Sequence, residues 1–381
     1  MRSFIWIILL LTTSSNVRAQ GVFVNYDIDT SVYCVGEPLD LWVDFLTSGS
    51  DDAGSVFWNN AEVERFGSDD YFLVERELDF GTEDFLRFVA YASVKILSVR
   101  EIGPYYKITS LMEFAPKNRR SQVQYTFHVY AGRANDKLKL FNALPINTEL
   151  HLSTTTVGYI RYHYLKSHEF DSELAQKQSA FLSDFSSAFE VPIDTVDYYF
   201  APTNEQINEL RGFAFLIGAS GKEIPSGKSE PEYRIVYSAG LDEYYPHELI
   251  HVLINPHYPN AHLWALEGLA TYYGMSRGKD LDWHLKKVNA HLSDHPEIDL
   301  GNMLELRSLD QYTDYRYALG GFVMRKAYER GGVELIKQLL SAGSSDADYY
   351  SATEKYLGIE RSALDAWIRR ELTSEYGAHR E

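Results

Sequence analysis

The chain has 381 residues, with 36 Lys and Arg against 54 Asp and Glu, giving a formal net charge of −18 at pH 7. So acidic a chain argues against nucleic acid and anionic membrane surfaces as partners, because like charge repels both at long range. Its 45% hydrophobic and 14% aromatic content supplies material for two cores, and its length suggests two domains.

Residues 1–19 read as a cleavable secretory signal: Arg2, an apolar stretch from Phe4 to Leu11, then Val17-Arg18-Ala19 as a small-residue cleavage site. Cleavage would remove Arg2 and Arg18 and no acid, taking the net charge from −18 to −20. Bilayer spanning needs about 20 apolar residues, and no later stretch supplies them, so no membrane span is expected and the location is secreted or periplasmic. Cys34 is the single cysteine, which excludes an intrachain disulfide. It reads as a half-buried strand residue.

Residues 20–148 read as a β-rich N-terminal domain, a twisted antiparallel sheet with one or two helices. Val22 to Tyr26 and Leu39 to Phe45 alternate with period two, as strands do. Val94 to Val99 and Tyr105 to Phe114 form a predicted hairpin about Gly103-Pro104, and Gln122 to Tyr130 with Lys137 to Phe141 a second. Residues 82–93 fit helix or strand equally, and the acidic run from Ser48 to Ala53 reads as a loop.

Residues 149–381 form a second domain. Leu150 to Tyr162 reads as extended, Ser172 to Phe189 as an amphipathic helix, Val196 to Ala201 as a strand stopped by Pro202, and 203–211 as a helix. Residues 218–232 read as a mobile loop before a strand at Tyr233 to Ser238, and everything from 280 onward as helical. The expected fold class is α+β: an antiparallel-sheet domain, then a small mixed sheet followed by a helical C-terminal part.

The densest chemistry lies at His247-Glu248-Leu249-Ile250-His251. Residues four apart share a helix face, so His247 and His251 can present two imidazole nitrogens to one metal ion. Glu248 projects toward the open side, where an attacking water needs a base. Pro246 suits the first helical turn and Pro256 blocks continuation, which predicts a helix over 246–254. Its other residues are apolar, so the helix is expected to be buried. A second helix, capped by Asn260 and ending near Gly274, carries Glu267 in its middle, and Glu267 is the expected third ligand. His257 offers the spacing of an alternative third ligand, but that pattern needs Gly where Ile254 stands. His257 and His262 therefore read as loop histidines.

The order HExxH followed by Glu267 in Trp264-Ala265-Leu266-Glu267-Gly268 resembles the gluzincin metallopeptidases, most nearly the short domains described as peptidase MA-like. The resemblance covers about residues 150–381. It implies a zincin-like catalytic domain, one zinc ion per chain held by His247, His251 and Glu267, and Glu248 as general base. In the aminopeptidase N branch a helix carries Tyr-x-x-Gly with the Tyr beside the metal, and Tyr317-x-x-Gly320 matches it. By that resemblance Tyr317 would stabilise the oxyanion, with Tyr315 as the competing residue two positions away. Arg234 to Ser238 would be the edge strand that pairs with a peptide substrate. The chain departs from this branch in lacking Gly-x-Met-Glu-Asn, and from thermolysin-like members in having Thr271 where an Asp orients a ligand His. Thr271 would then accept that histidine's hydrogen bond. The adjacent Gly320 and Gly321 imply a close approach to another element.

The function expected is a secreted zinc-dependent peptidase with a peptide or protein substrate. Two alternatives stay open: an aminopeptidase rather than an endopeptidase, and an exported non-catalytic binding or scaffold protein with a retained zinc site. The oligomeric state stays open as well.

Overall fold

The computed structural model describes residues 21–48, 56–66, 92–114, 120–221 and 223–377. The expected signal segment, the acidic loop after Ser48 and residues 82–91 lie outside them. The fold is α+β with two mixed sheets among the described residues. The chain divides into two compact units: residues up to Ile146 together with Asn208–Gly218, and Asn147–Ile207 together with Ala219 onward.

The first unit begins with β1 (Gly21–Val24), α1 (Gly36–Ser48) and α2 (Asn60–Phe66). Four strands follow, the first three long: β2 (Ala92–Ile102), β3 (Tyr105–Phe114), β4 (Gln122–Ala134) and β5 (Lys137–Phe141). β2 to β5 form an antiparallel meander, but β1 runs parallel to β2, so the sheet is mixed rather than wholly antiparallel. Asn135 and Asp136 have φ of 50° and 62°, the left-handed pair that closes a tight β4–β5 hairpin.

Two expectations fail here. Leu39 to Phe45 is helix, not strand. Leu39, Trp42, Phe45 and Leu46 are buried with helical spacing, and the Trp42 indole donates to the Ser110 hydroxyl at 3.0 Å across the core. One buried face every three to four residues outweighed the alternation of Leu39, Leu41, Val43 and Phe45. Cys34 is exposed in the bend before α1 and is not a strand residue.

Next come α3 (Ala143–His151), β6 (Leu152–Val157) and β7 (Ile160–Leu165), so the stretch read as extended is a helix end and a hairpin. α4 (Ser172–Phe189), β8 (Val196–Ala201) and α5 (Asn204–Leu210) follow the predicted pattern. α4 is capped by Asp171, whose carboxylate accepts from the N–H groups of Glu173 and Leu174. β9 (Phe213–Leu216) then returns to the first sheet beside β4.

The segment expected to be a mobile loop contains β10 (Ser226–Glu230), which pairs antiparallel with β11 (Ile235–Ala239). The second sheet has the order β10-β11-β8-β7-β6. β11 is therefore interior, and among the described residues the edge strand next to the histidine helix is β10. Arg234 lies outside the strand, at φ 53°. A five-residue strand reading Ser-Gly-Lys-Ser-Glu offers no apolar alternation by which sequence could reveal it.

The rest of the second unit is helical: α6 (Pro246–Ile254), α7 (Leu263–Gly274), α8 (Leu281–Asp294), α9 (Tyr315–Leu340), α10 (Asp346–Leu357) and α11 (Leu364–Tyr376). Every residue of α6 is buried, and full burial of each Leu, Ile or Val stabilises by about 1.5–3 kcal/mol. α7 is capped by His262, whose Nδ1 accepts from Trp264 N–H at 3.2 Å, and not by Asn260. His262 is accordingly a buried cap and not a loop histidine, while His257 is exposed as expected. α7 and α9 touch through glycines. A Cβ on Gly320 would lie 2.6 Å from the Trp264 carbonyl oxygen, and one on Gly268 would lie 2.3 Å from the Gly320 carbonyl carbon. This contact is the close approach that Gly320 and Gly321 implied.

Candidate metal centre

α6 starts at Pro246, which has no N–H to leave unpaired, and the preceding Tyr245 N–H donates to the buried Gln178 side chain at 2.5 Å. Glu248 falls in the first turn, where the helix dipole favours a carboxylate. His247 and His251 follow on one face. α7 crosses the same face and brings Glu267 to them.

The three candidate ligand atoms converge. His247 Nε2 and His251 Nε2 are 3.3 Å apart, and each is 3.3 Å from Glu267 Oε2. Ligand atoms set tetrahedrally about 2.0–2.1 Å from a zinc ion lie about 3.3–3.4 Å from one another. The triangle thus has the edge length that a zinc ion at its apex requires. Two imidazoles and one carboxylate are also a donor set that suits zinc.

Hydrogen bonds on the far side of the rings set the lone pairs. His247 Nδ1 is 2.6 Å from the Met275 carbonyl oxygen, which can only accept. Nδ1 therefore carries the proton, and in the neutral ring Nε2 points its lone pair into the triangle. His251 Nδ1 faces the Asn255 side-chain oxygen at 3.4 Å. Met275 offers its carbonyl from a left-handed backbone, φ 65°, at the end of α7. Thr271, expected to orient a histidine, is fully buried with its hydroxyl unpartnered. The role falls to a main-chain carbonyl four residues further on, which no side-chain pattern could reveal.

Without an ion the groups polarise one another. Burial alone would depress His251, but the charges of Glu267 and Glu248 and the hydrogen bond to Glu267 lift its pKa to about 9. Burial would raise the Glu267 carboxyl, yet His251 and His247 beside it hold it well below the usual carboxylate range.

Three further side chains surround the triangle. Glu248 is buried beside β10, where a Cβ on Gly227 would lie 2.6 Å from its Oε1. Gly227 thus lets the edge strand pass directly over the carboxylate. Tyr317 meets His247 edge-on, ring centroids 5.8 Å apart. Burial, with Glu267 and Glu248 nearby, pushes its hydroxyl far above the usual tyrosine range, so it stays protonated. Tyr315 lies away from the triad, its pKa raised by burial and eased by Arg369. Sequence reasoning missed Tyr245, which stacks on His247 at 5.7 Å with planes 5° apart. Burial, with Glu248 nearby, raises its pKa well above the usual tyrosine range.

No family model matches the chain, and no curated protein matches it. Among solved structures it is similar to an aminopeptidase N family protein from Idiomarina loihiensis, at 11% identity and a TM-score of 0.34, covering 76% of this chain and 56% of that one. The chain thus spans little more than half the length of that protein. So distant a likeness fixes neither fold nor activity.

Proposed function

We propose that this protein is an exported, zinc-dependent peptidase whose second unit is a zincin-like catalytic domain. The observation that carries the reading is the 3.3 Å triangle of His247, His251 and Glu267. His247, His251 and Glu267 would hold the ion, leaving a fourth position open. Zinc there would polarise the scissile carbonyl and make water nucleophilic near neutral pH.

The chain's own groups do the remainder. Glu248 accepts the proton of the attacking water and passes it to the leaving amine. Tyr317 keeps its proton and donates a hydrogen bond to the developing oxyanion. β10, the terminal strand of its sheet among the described residues and adjacent to Glu248, is the strand against which an extended peptide would lie. Gly227 keeps that edge close to the carboxylate without a side chain between. A site that merely stabilised the fold would fill its fourth position and have no use for Glu248.

The test is peptide hydrolysis by wild type and Glu248→Gln, with zinc measured in both. The variant is expected to keep its zinc and lose about 10²–10⁴-fold in turnover. A fully active Glu248→Gln protein would overturn the assignment.

A further inference from the structure

Arg277 stands beside Tyr317 in the turn that follows Met275, the residue whose carbonyl orients His247. Ser276 and Lys279 exchange backbone hydrogen bonds of 2.8 and 2.9 Å. Inside that turn Arg277 has φ 50° and Gly278 φ 72°. A non-glycine residue resists this conformation, so its surroundings must hold it. Nη1 of Arg277 donates to the Gln311 carbonyl. The guanidinium carbon lies 5.9 Å from the Tyr317 ring centroid, and that ring lies 5.8 Å from His247.

This half-buried cation makes no ion pair among the described residues, in a chain with 54 acids against 36 basic residues. Nε and Nη2 have no partner there either. Arginine favours a carboxylate as a partner because its planar fork matches the two oxygens. A fixed, unpaired guanidinium one aromatic ring from a metal ligand is therefore suited to an anion supplied by the substrate.

We propose that Arg277 is a specificity-determining residue that holds a carboxylate of the peptide substrate while the scissile bond lies over His247, His251 and Glu267. The inference rests on the peptidase reading and narrows it. At ~3.3 Å per extended residue, the carboxylate sits about two to four residues from the scissile bond. It is either the free C-terminus of a short peptide or an acidic side chain of a longer one.

Three pools of random decapeptides separate these cases: neutral with a free C-terminus, neutral and amidated, and amidated with one Asp or Glu. Zinc-loaded wild type should cleave one carboxylate-bearing pool at least ~10-fold faster than the neutral amidated pool. The pool preferred identifies the source. Arg277→Gln should retain zinc and bring the ratio to about one, Arg277→Lys should restore part of it, and Lys279→Gln, in the same turn, should keep it.

A second readout needs no turnover. Calorimetry compares the binding of α,ω-dicarboxylates, from succinate to suberate, with that of matching monocarboxylates. One chain length should bind wild type about tenfold tighter than its monocarboxylate and lose that advantage in Arg277→Gln. No carboxylate preference in wild type, or the same preference in Arg277→Gln, would overturn the proposal. Zinc-loaded wild type that cleaves no pool would overturn the peptidase reading instead, and the dicarboxylate series then decides on Arg277 alone.

Discussion

Two buried histidine settings in the second unit look alike by burial and differ in what the second ring nitrogen faces. His284 on α8 is fully buried, and both its nitrogens are satisfied: Nε2 donates to the Ser276 carbonyl and Nδ1 accepts from the Thr313 hydroxyl, each at 3.1 Å. His247 uses the neighbouring carbonyl, that of Met275, for one nitrogen and turns the other toward His251 and Glu267. Adjacent carbonyls of one short segment thus fix one histidine as a finished core residue and leave the other with a nitrogen free for a candidate metal position. Burial does not mark a site. Three lone pairs aimed at one point do, because a buried carboxylate and two imidazoles need a cation to satisfy them together.

The comparison would break most sharply at the oxyanion. Tyr317→Phe removes the hydroxyl beside His247 and is expected to lower kcat by about 10²–10³-fold with zinc retained. Tyr315→Phe, two residues away and facing elsewhere, is expected to change kcat by less than about threefold. Equal losses in the two variants, measured on one peptide substrate, would show that neither hydroxyl acts at the reaction centre.

A smaller effect sharpens the contrast through pH. In metal-free protein the pKa of His251 is raised to about 9, whereas that of His284 is lowered by burial. The signs are opposite. A raised folded pKa adds stability that is fully present below the ordinary histidine value, about 6.5, and is lost as pH rises toward 9. A lowered folded pKa adds stability that is present at high pH and is lost as pH falls below about 6.5. Urea unfolding of the metal-free protein should therefore show His251→Ala flattening the decline between pH 6.5 and 9, and His284→Asn flattening the decline below 6.5. Identical profiles for the two variants would mean that the settings do not differ in charge.

Much of this was legible in the chain, and the exceptions share a cause. The bounds of α6 followed from Pro246 and Pro256, its burial from Leu249 to Ile254, and the long hairpins from their apolar alternation about turn residues. All of these are local signals. α1 was misread because Leu39 to Phe45 fits both periods, and only the placement of Trp42 against Ser110 decides between them. β10 was missed because Ser226 to Glu230 has no apolar face, its pairing with β11 being a main-chain matter. At the site, the histidines, Glu248, Glu267 and Tyr317 were nameable from spacing and resemblance. Gly227, Tyr245, the Met275 carbonyl and Arg277 were not, because each is placed there by a tertiary contact or a backbone angle that leaves no mark in composition.

The central claim is that His247, His251 and Glu267 hold one metal ion. Elemental analysis of purified wild type, His251→Ala, Glu267→Ala and His284→Asn after zinc loading and desalting tests it most directly. About one zinc per chain in wild type and His284→Asn, with none in the other two, is the predicted result. Zinc absent from the loaded wild type, or retained in both His251→Ala and Glu267→Ala, would contradict it.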